Sequence, residues 1–368
     1  MIAALTSTLS RYIARTYVVN MLFLLFILLG IIYLFDTIEL IRRANKRDDV
    51  PLSLVLQMGL LKLPEVGQLL FPFAVLFSAI YTFWQLTKRY ELIVVRSAGF
   101  SVWQFLMPVI AVAVTFGLLQ MTIINPAGAL LVGKFSELEN THLNNNTSQI
   151  AFFEEGLWLR QDLNNQGDYS ILHAERISQP SWKLQSVTVL KFDRFNRYTE
   201  RLDAKEATLE SGRWLLNDVI IHEPAKAKRE EKFYALDTTL TLKEIEDSFA
   251  SPETMSFWQL PHYIRTLEAT GFDPTRLKIH YQNLWAQPLF FAAMVLLAAT
   301  VSMRPPRFRG AFALIVLGIA LGFIVFFLSS FLQALGTSGQ IPVLLAAWSP
   351  ALICFLLGLT ALMNLEDG

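Results

Sequence analysis

Six stretches of this 368-residue chain are almost wholly apolar, at 17–38, 66–86, 103–124, 284–303, 311–333 and 342–363. Each is long enough to cross a bilayer as a helix, which takes about 20 residues. The region between the third and fourth behaves differently. From 136 to 255 apolar and polar residues alternate in short runs, SILHAERI at 170–177, SVTVLKF at 186–192 and WLLNDVII at 214–221. That period of two belongs to half-buried strands. Turn-forming stretches such as DLNNQGD (162–168) and LESGR (209–213) separate the runs, and no long helical pattern intervenes. The pattern predicts a membrane α-helical protein with six transmembrane helices, three plus three, and an inserted all-β domain of sandwich or jelly-roll-like form. The expected divisions are 1–135, 136–255 and 256–368. The last opens with an interfacial helix whose Trp258, Tyr263, Tyr281 and Trp285 suit the headgroup level.

A hydrophobic fraction of 53% and a mean hydropathy of +0.41 agree with a membrane protein. Lys plus Arg equals Asp plus Glu at 31 each, so no global basic field points to nucleic acid. The one cysteine, Cys354, lies in an apolar run and reads as a packing residue that has no partner for an intrachain disulfide. The first apolar run is too long, and lacks the small-residue cleavage pattern, for a removed signal peptide. An even number of spans puts both termini on one side and the inserted domain on the other. The Lys and Arg residues at the two sets of span ends nearly balance, so their distribution does not say which side is inside.

Catalytic patterns are missing. There is no GxxxxGK[ST] phosphate loop, so the chain is not expected to hydrolyse ATP, and GxSxG, HExxH and zinc-ligand spacings are absent too. No catalytic residue, metal site or cofactor of its own is expected. Ionisable groups within the spans are few. Asp36 stands near the end of span one, and Lys62 and Glu65 are spaced to pair within span two, which argues against ion-coupled transport.

Two charged features remain. The segment IRRANKR at 41–47 sets Arg42, Arg43, Lys46 and Arg47 at the end of the first span, with Glu39 at helical pairing distance from the two arginines. Such a cluster either anchors the span by snorkelling or holds an anion. The connector KRYELIVVRSAGFS (88–101) places Glu91 and Arg96 between spans two and three. Read as a helix, it aligns Leu92, Val95 and Gly99 on one face, with Gly99 as its C-terminal cap. A helix this short needs a surface to lie on, a membrane or a partner protein.

ELIVVRSAGFS closely resembles the coupling helix of the LptF/LptG permeases of lipopolysaccharide export. RYIARTY (11–17), LPEVGQLLFPFAVL (63–76), GLWLR (156–160) and YIRTLEATGFDPTRLKIHYQNLWAQPL (263–289) match the same family in order and spacing. The resemblance implies the permease half of an ABC transporter that extracts lipopolysaccharide from the outer leaflet of the inner membrane. It implies cytoplasmic termini and a periplasmic sheet domain. The implied partners are a companion LptF permease, an LptB ATPase dimer that binds the ATP and Mg, and LptC with a periplasmic bridge. Coupling to the ATPase would then fall to Glu91 and Arg96 as polar contacts, to Leu92 and Val95 as apolar ones, and to Gly99 as the cap. Lipopolysaccharide phosphates would meet Arg42, Arg43, Lys46 and Arg47, joined by Lys134. The family often carries a basic residue deeper in span one, where this chain has Tyr33. A permease of the lipoprotein-release type, which usually has four spans, and a non-transporting membrane scaffold are the alternatives.

Overall fold

A computed structural model of the chain describes residues 8–45, 50–97, 99, 101–142, 149–153, 156–162, 168–178, 183–210, 212–224, 227–238, 252–270, 273–302 and 311–366. It divides into two compact units, one made of 1–136, 256–258 and 278–368 and the other of 137–255 and 259–277.

In the first unit, helices α1 (Thr8–Ala44), α2 (Leu52–Lys88), α7 (Thr275–Ser302), α8 (Ala311–Thr337) and α9 (Val343–Glu366) each supply a span. The remaining span is composite, α4 (Val102–Leu119) running through a π turn at Gln120–Ile124 into α5 (Asn125–His142). The short α3 (Glu91–Ser97) joins α2 to α4. All six expected spans are there.

Helix α1 is buried along one narrow seam. Ile13, Tyr17, Met21 and Leu25, four residues apart, face inward, and Thr37, Leu40 and Ala44 resume the seam further on. Phe23, Phe26 and Phe35 on the other faces are exposed, as suits residues in contact with lipid tails. In hydrocarbon no hydrophobic force drives helix to helix, so close packing and interhelical hydrogen bonds must hold them together. Both are present. Asn20 Nδ2 donates to Thr82 Oγ1 at 2.9 Å, tying α1 to α2. Gly117 of α4 lies so close to α7 that a Cβ there would stand 2.6 Å from Pro288 Cα.

The π turn loosens the backbone ladder of span three, and the segment after the sheet repairs it. Trp258 Nε1 donates to Thr122 O at 3.3 Å. Asn125 Oδ1 accepts from the Phe257 N–H at 2.8 Å, and its Nδ2 donates to Gln68 Oε1 at 3.0 Å. Phe257 stacks on Tyr281 and meets Trp258 and Trp285 edge-on, so three of the aromatics expected at the headgroup level, Trp258, Tyr281 and Trp285, gather around it.

The second unit holds strands β1 (Gln149–Phe153), β2 (Gly156–Asp162), β3 (Tyr169–Ser178), β4 (Lys183–Phe192), β5 (Tyr198–Glu210), β6 (Arg213–His222) and β7 (Arg229–Asp237), with α6 (Leu260–Thr270) beside β3. They form one antiparallel sheet in sequence order, a meander without a Greek-key crossing among the described strands. The meander nonetheless closes over on itself. In a flat sheet β2 and β6 would stand about 19 Å apart, yet Trp214 Nε1 of β6 donates to Gln161 Oε1 of β2 at 3.3 Å. The sheet therefore folds over on an interior lined by Leu159, Leu172, Val189, Leu202, Leu216 and Ile221, all buried.

The fold-over has a visible device. In β4 to β6 the alternation slips by one, so that Gln185 and Ser186, Lys205 and Glu206, and Asn217 and Asp218 each stand together between two inward residues. The ladder register passes over Ser186, Lys205 and Asp218, and Ser186 and Asp218 have left-handed backbones at φ 53° and 52°. Aligned irregularities of this kind bend a sheet sharply.

Candidate functional site

The first site is built around α3. Helix α2 ends at Lys88, and the chain turns through Tyr90, whose φ of 59° is unusual for a bulky residue. Tyr90 O accepts from the Val94 N–H at 3.1 Å and so starts α3, and Gly99, at φ 85°, follows its end. Ser101 then opens α4 with a capping box, its Oγ accepting from Gln104 N while Gln104 Oε1 accepts from Ser101 N. Two left-handed residues and a cap fix the elbow.

Leu92 is only 6% exposed and belongs to the apolar core that also holds Leu86, Val102 and Phe105. This corrects its expected role: it roots the helix in the bundle and offers nothing to a partner's apolar floor. Among the described side chains the exposed apolar positions are Tyr90 at 68% and Val94 at 64%, and Val95 is half-buried. Periodicity alone does not tell that α3 lies back against the bundle with its Leu92 side turned inward. Glu91 is half-exposed. Its Oε1 accepts from Tyr12 OH of α1 at 3.3 Å and lies 3.9 Å from Arg89 Nη1. Arg96 falls within α3, with its side chain outside the described residues.

The second site is the other end of α1. Arg42 Nη2 pairs with Glu39 Oε1 at 2.8 Å, the in-helix pairing the spacing predicts, and both side chains are largely exposed. Lys62 reaches across to Asp36 Oδ2 of α1 at 3.6 Å, a partner other than the Glu65 that the spacing suggests. Its Nζ also lies 6.0 Å from the Phe135 ring centroid. Asp36, Lys62 and Phe135 thus bring α1, α2 and α5 together, and Lys134, next to Phe135, is exposed. Tyr33 takes no charged role, its OH donating to Leu56 O of α2 at 3.3 Å. Lys46 and Arg47 lie outside the described residues. Sequence reasoning gave Lys62 no part at this end and did not connect Tyr12 to the elbow, since neither cross-helix pairing has a local signal.

Among the described residues no group of His, Cys, Asp or Glu could hold a metal ion. The molecule is of the class of multi-pass membrane proteins with a β domain inserted between two sets of three spans. The sequence model of the lipopolysaccharide export system permease LptF/LptG family matches residues 11–364, and the chain belongs to that family. It is 24% identical to the lipopolysaccharide export system permease protein LptG of Escherichia coli K12, over 97% of this chain and 98% of that protein. LptG of Haemophilus influenzae Rd is likewise 24% identical, over 94% and 96%. It is a multi-pass protein of the inner membrane.

Proposed function

We propose that the chain is the LptG-type half of an ATP-driven transporter that lifts lipopolysaccharide from the outer leaflet of the inner membrane toward a periplasmic bridge. It pairs with an LptF chain, an LptB ATPase dimer that binds ATP and Mg docks at α3, and LptC receives the lipid. The termini and the elbow are cytoplasmic, and the rolled sheet is periplasmic. Full-length similarity to two LptG proteins supports this, as does a chain without an ATP-binding phosphate loop.

The observation that carries the docking role is the build of α3. A helix of seven residues does not persist alone, yet this one is rooted by Leu92 and offers a half-exposed carboxylate at Glu91 beside exposed Val94. At the far end of α1, Arg42 and Arg43 suit the phosphates of the lipid, because guanidinium grips phosphate through paired hydrogen bonds. Glu91→Lys should strip the ATPase from the complex during mild detergent purification; unchanged copurification with unchanged lipid-stimulated hydrolysis would overturn the docking role. The double variant Arg42→Glu, Arg43→Glu should crosslink poorly to lipopolysaccharide, and normal crosslinking would reduce the pair to membrane anchors.

A further inference from the structure

The two sites stand at opposite ends of one rod. Helix α1 runs unbroken from Thr8 to Ala44 without proline. By contrast α2 carries Pro64 and Pro72, α4 carries Pro108 ahead of the π turn, α7 carries Pro288 and α9 carries Pro350. Kinks gather at such positions, so α1 is the stiff member among the first three spans. Tyr12 and Arg42 are about 45 Å apart along it at about 1.5 Å of rise per residue. Its seam from Ile13 to Leu25 lies in the apolar core of the bundle, while Phe23, Phe26 and Phe35 on its other faces are exposed.

At the elbow end this rod is tied to α3 through Tyr12 OH and Glu91 Oε1. The same carboxylate has a second suitor in Arg89, at 3.9 Å and on the short turn before α3. Both contacts are present together and lead to different elements: the one with Tyr12 joins α3 to the first span, and the one with Arg89 joins it to the turn after α2.

We propose that Tyr12 is a positioning residue: its phenol holds Glu91 so that motion of the elbow becomes motion of span one, and hence of Arg42 and Arg43 at the cargo end. This rests on the docking role of α3 and adds a route for the push that bypasses the kinked second and third spans. It assigns the RYIARTY segment a task that packing does not explain, since Tyr12 is 43% exposed, whereas Tyr17 in the same segment is fully buried.

The test uses the full complex in nanodiscs, with lipopolysaccharide as cargo. Tyr12→Phe keeps the ring and removes only the donor. It should retain the ATPase and its hydrolysis but lower the lipopolysaccharide released per nucleotide hydrolysed by about fivefold, the worth of one modest hydrogen bond. A merely structural phenol would not move that ratio. In a Glu91→Leu background, which leaves the phenol no side-chain acceptor at that position, Tyr12→Phe should add no further loss per retained ATPase, because both act through one contact. A wild-type ratio in Tyr12→Phe, additive losses in the double variant, or loss of the ATPase from Tyr12→Phe overturns the proposal. Glu91→Lys separates the two levels: retention of the ATPase by that variant defeats the docking role itself, whereas its detachment alongside a wild-type Tyr12→Phe defeats only the link to span one.

Discussion

Leu92 offers a sharp test of how the elbow is held. It is 6% exposed within the bundle core, and α3 has only seven residues. Truncating a buried leucine to alanine costs about 2–5 kcal/mol. The site lies at the end of the bundle, where neighbours can close in, so the lower part of that range applies, about 2.5 kcal/mol. The helix cannot pay this from its own hydrogen bonds, because a single short turn is unfavourable to nucleate. The loss therefore appears as local detachment, with the open population raised roughly 60-fold at about 1.4 kcal/mol per factor of ten. Hydrogen exchange of the peptide spanning 90–99, in detergent or nanodisc, reads that population directly. Val94→Ala is the control: at 64% exposure it should change protection by less than about twofold, as surface substitutions usually do. If the two variants lose protection equally, or Val94→Ala loses more, α3 is held from its outer face and Leu92 is not its root.

Other outcomes follow from the packing and the charges. Gly117→Ala drives a methyl group against the Pro288 backbone and should lower the melting temperature by several degrees, whereas Gly133→Ala, with nothing within 4 Å of the added carbon, should leave it unchanged or slightly raised. Trp214→Phe removes the donor to Gln161 and should raise exchange in β2 and β6 together, by a hydrogen-bond loss of about 1 kcal/mol; an effect confined to β6 would contradict the rolled sheet. The β4–β5 hairpin should weaken at both pH extremes. The Asp193 carboxyl is held below its ordinary range first by the Arg197 N–H, so its support is present above the unfolded value and is lost as pH falls through the folded one. Burial pulls the Lys191 ammonium down, but hydrogen bonds to Glu200 and Tyr234 outweigh it and hold it above its ordinary value; its support is present below the unfolded value and is lost as pH rises through the folded one. Asp193→Asn should abolish the acid limb in hydrogen exchange, and Lys191→Met the alkaline limb.

Spans, inserted sheet and elbow were legible because each has a local pattern: length of apolar run, period two, and a charged break before a glycine. The S-x-x-Q capping box at Ser101 and Gln104 is equally local. What escaped is cross-helix. In a span where every position is apolar, periodicity cannot say which face is buried, so the seam through Ile13, Tyr17 and Met21 is hidden among leucines and phenylalanines. The partners of Glu91 and Lys62, Tyr12 and Asp36 respectively, are 79 and 26 positions away. Leu92 was misread for the same reason, because its inward turn depends on where the rest of the bundle lies.

The slipped doublets of the sheet bear on how its length can vary. Removing one residue from Gln185–Ser186, Lys205–Glu206 or Asn217–Asp218 would restore strict alternation in that strand alone, setting one residue against two of a neighbour that keeps its crease and breaking the ladder at the bend. Single deletions there should be far more harmful than deletions in the connecting turns, and only matched removal across all the creased strands would yield a viable, flatter sheet. The curvature of this domain is thus stored as parity, a count of residues, more than in any one side chain.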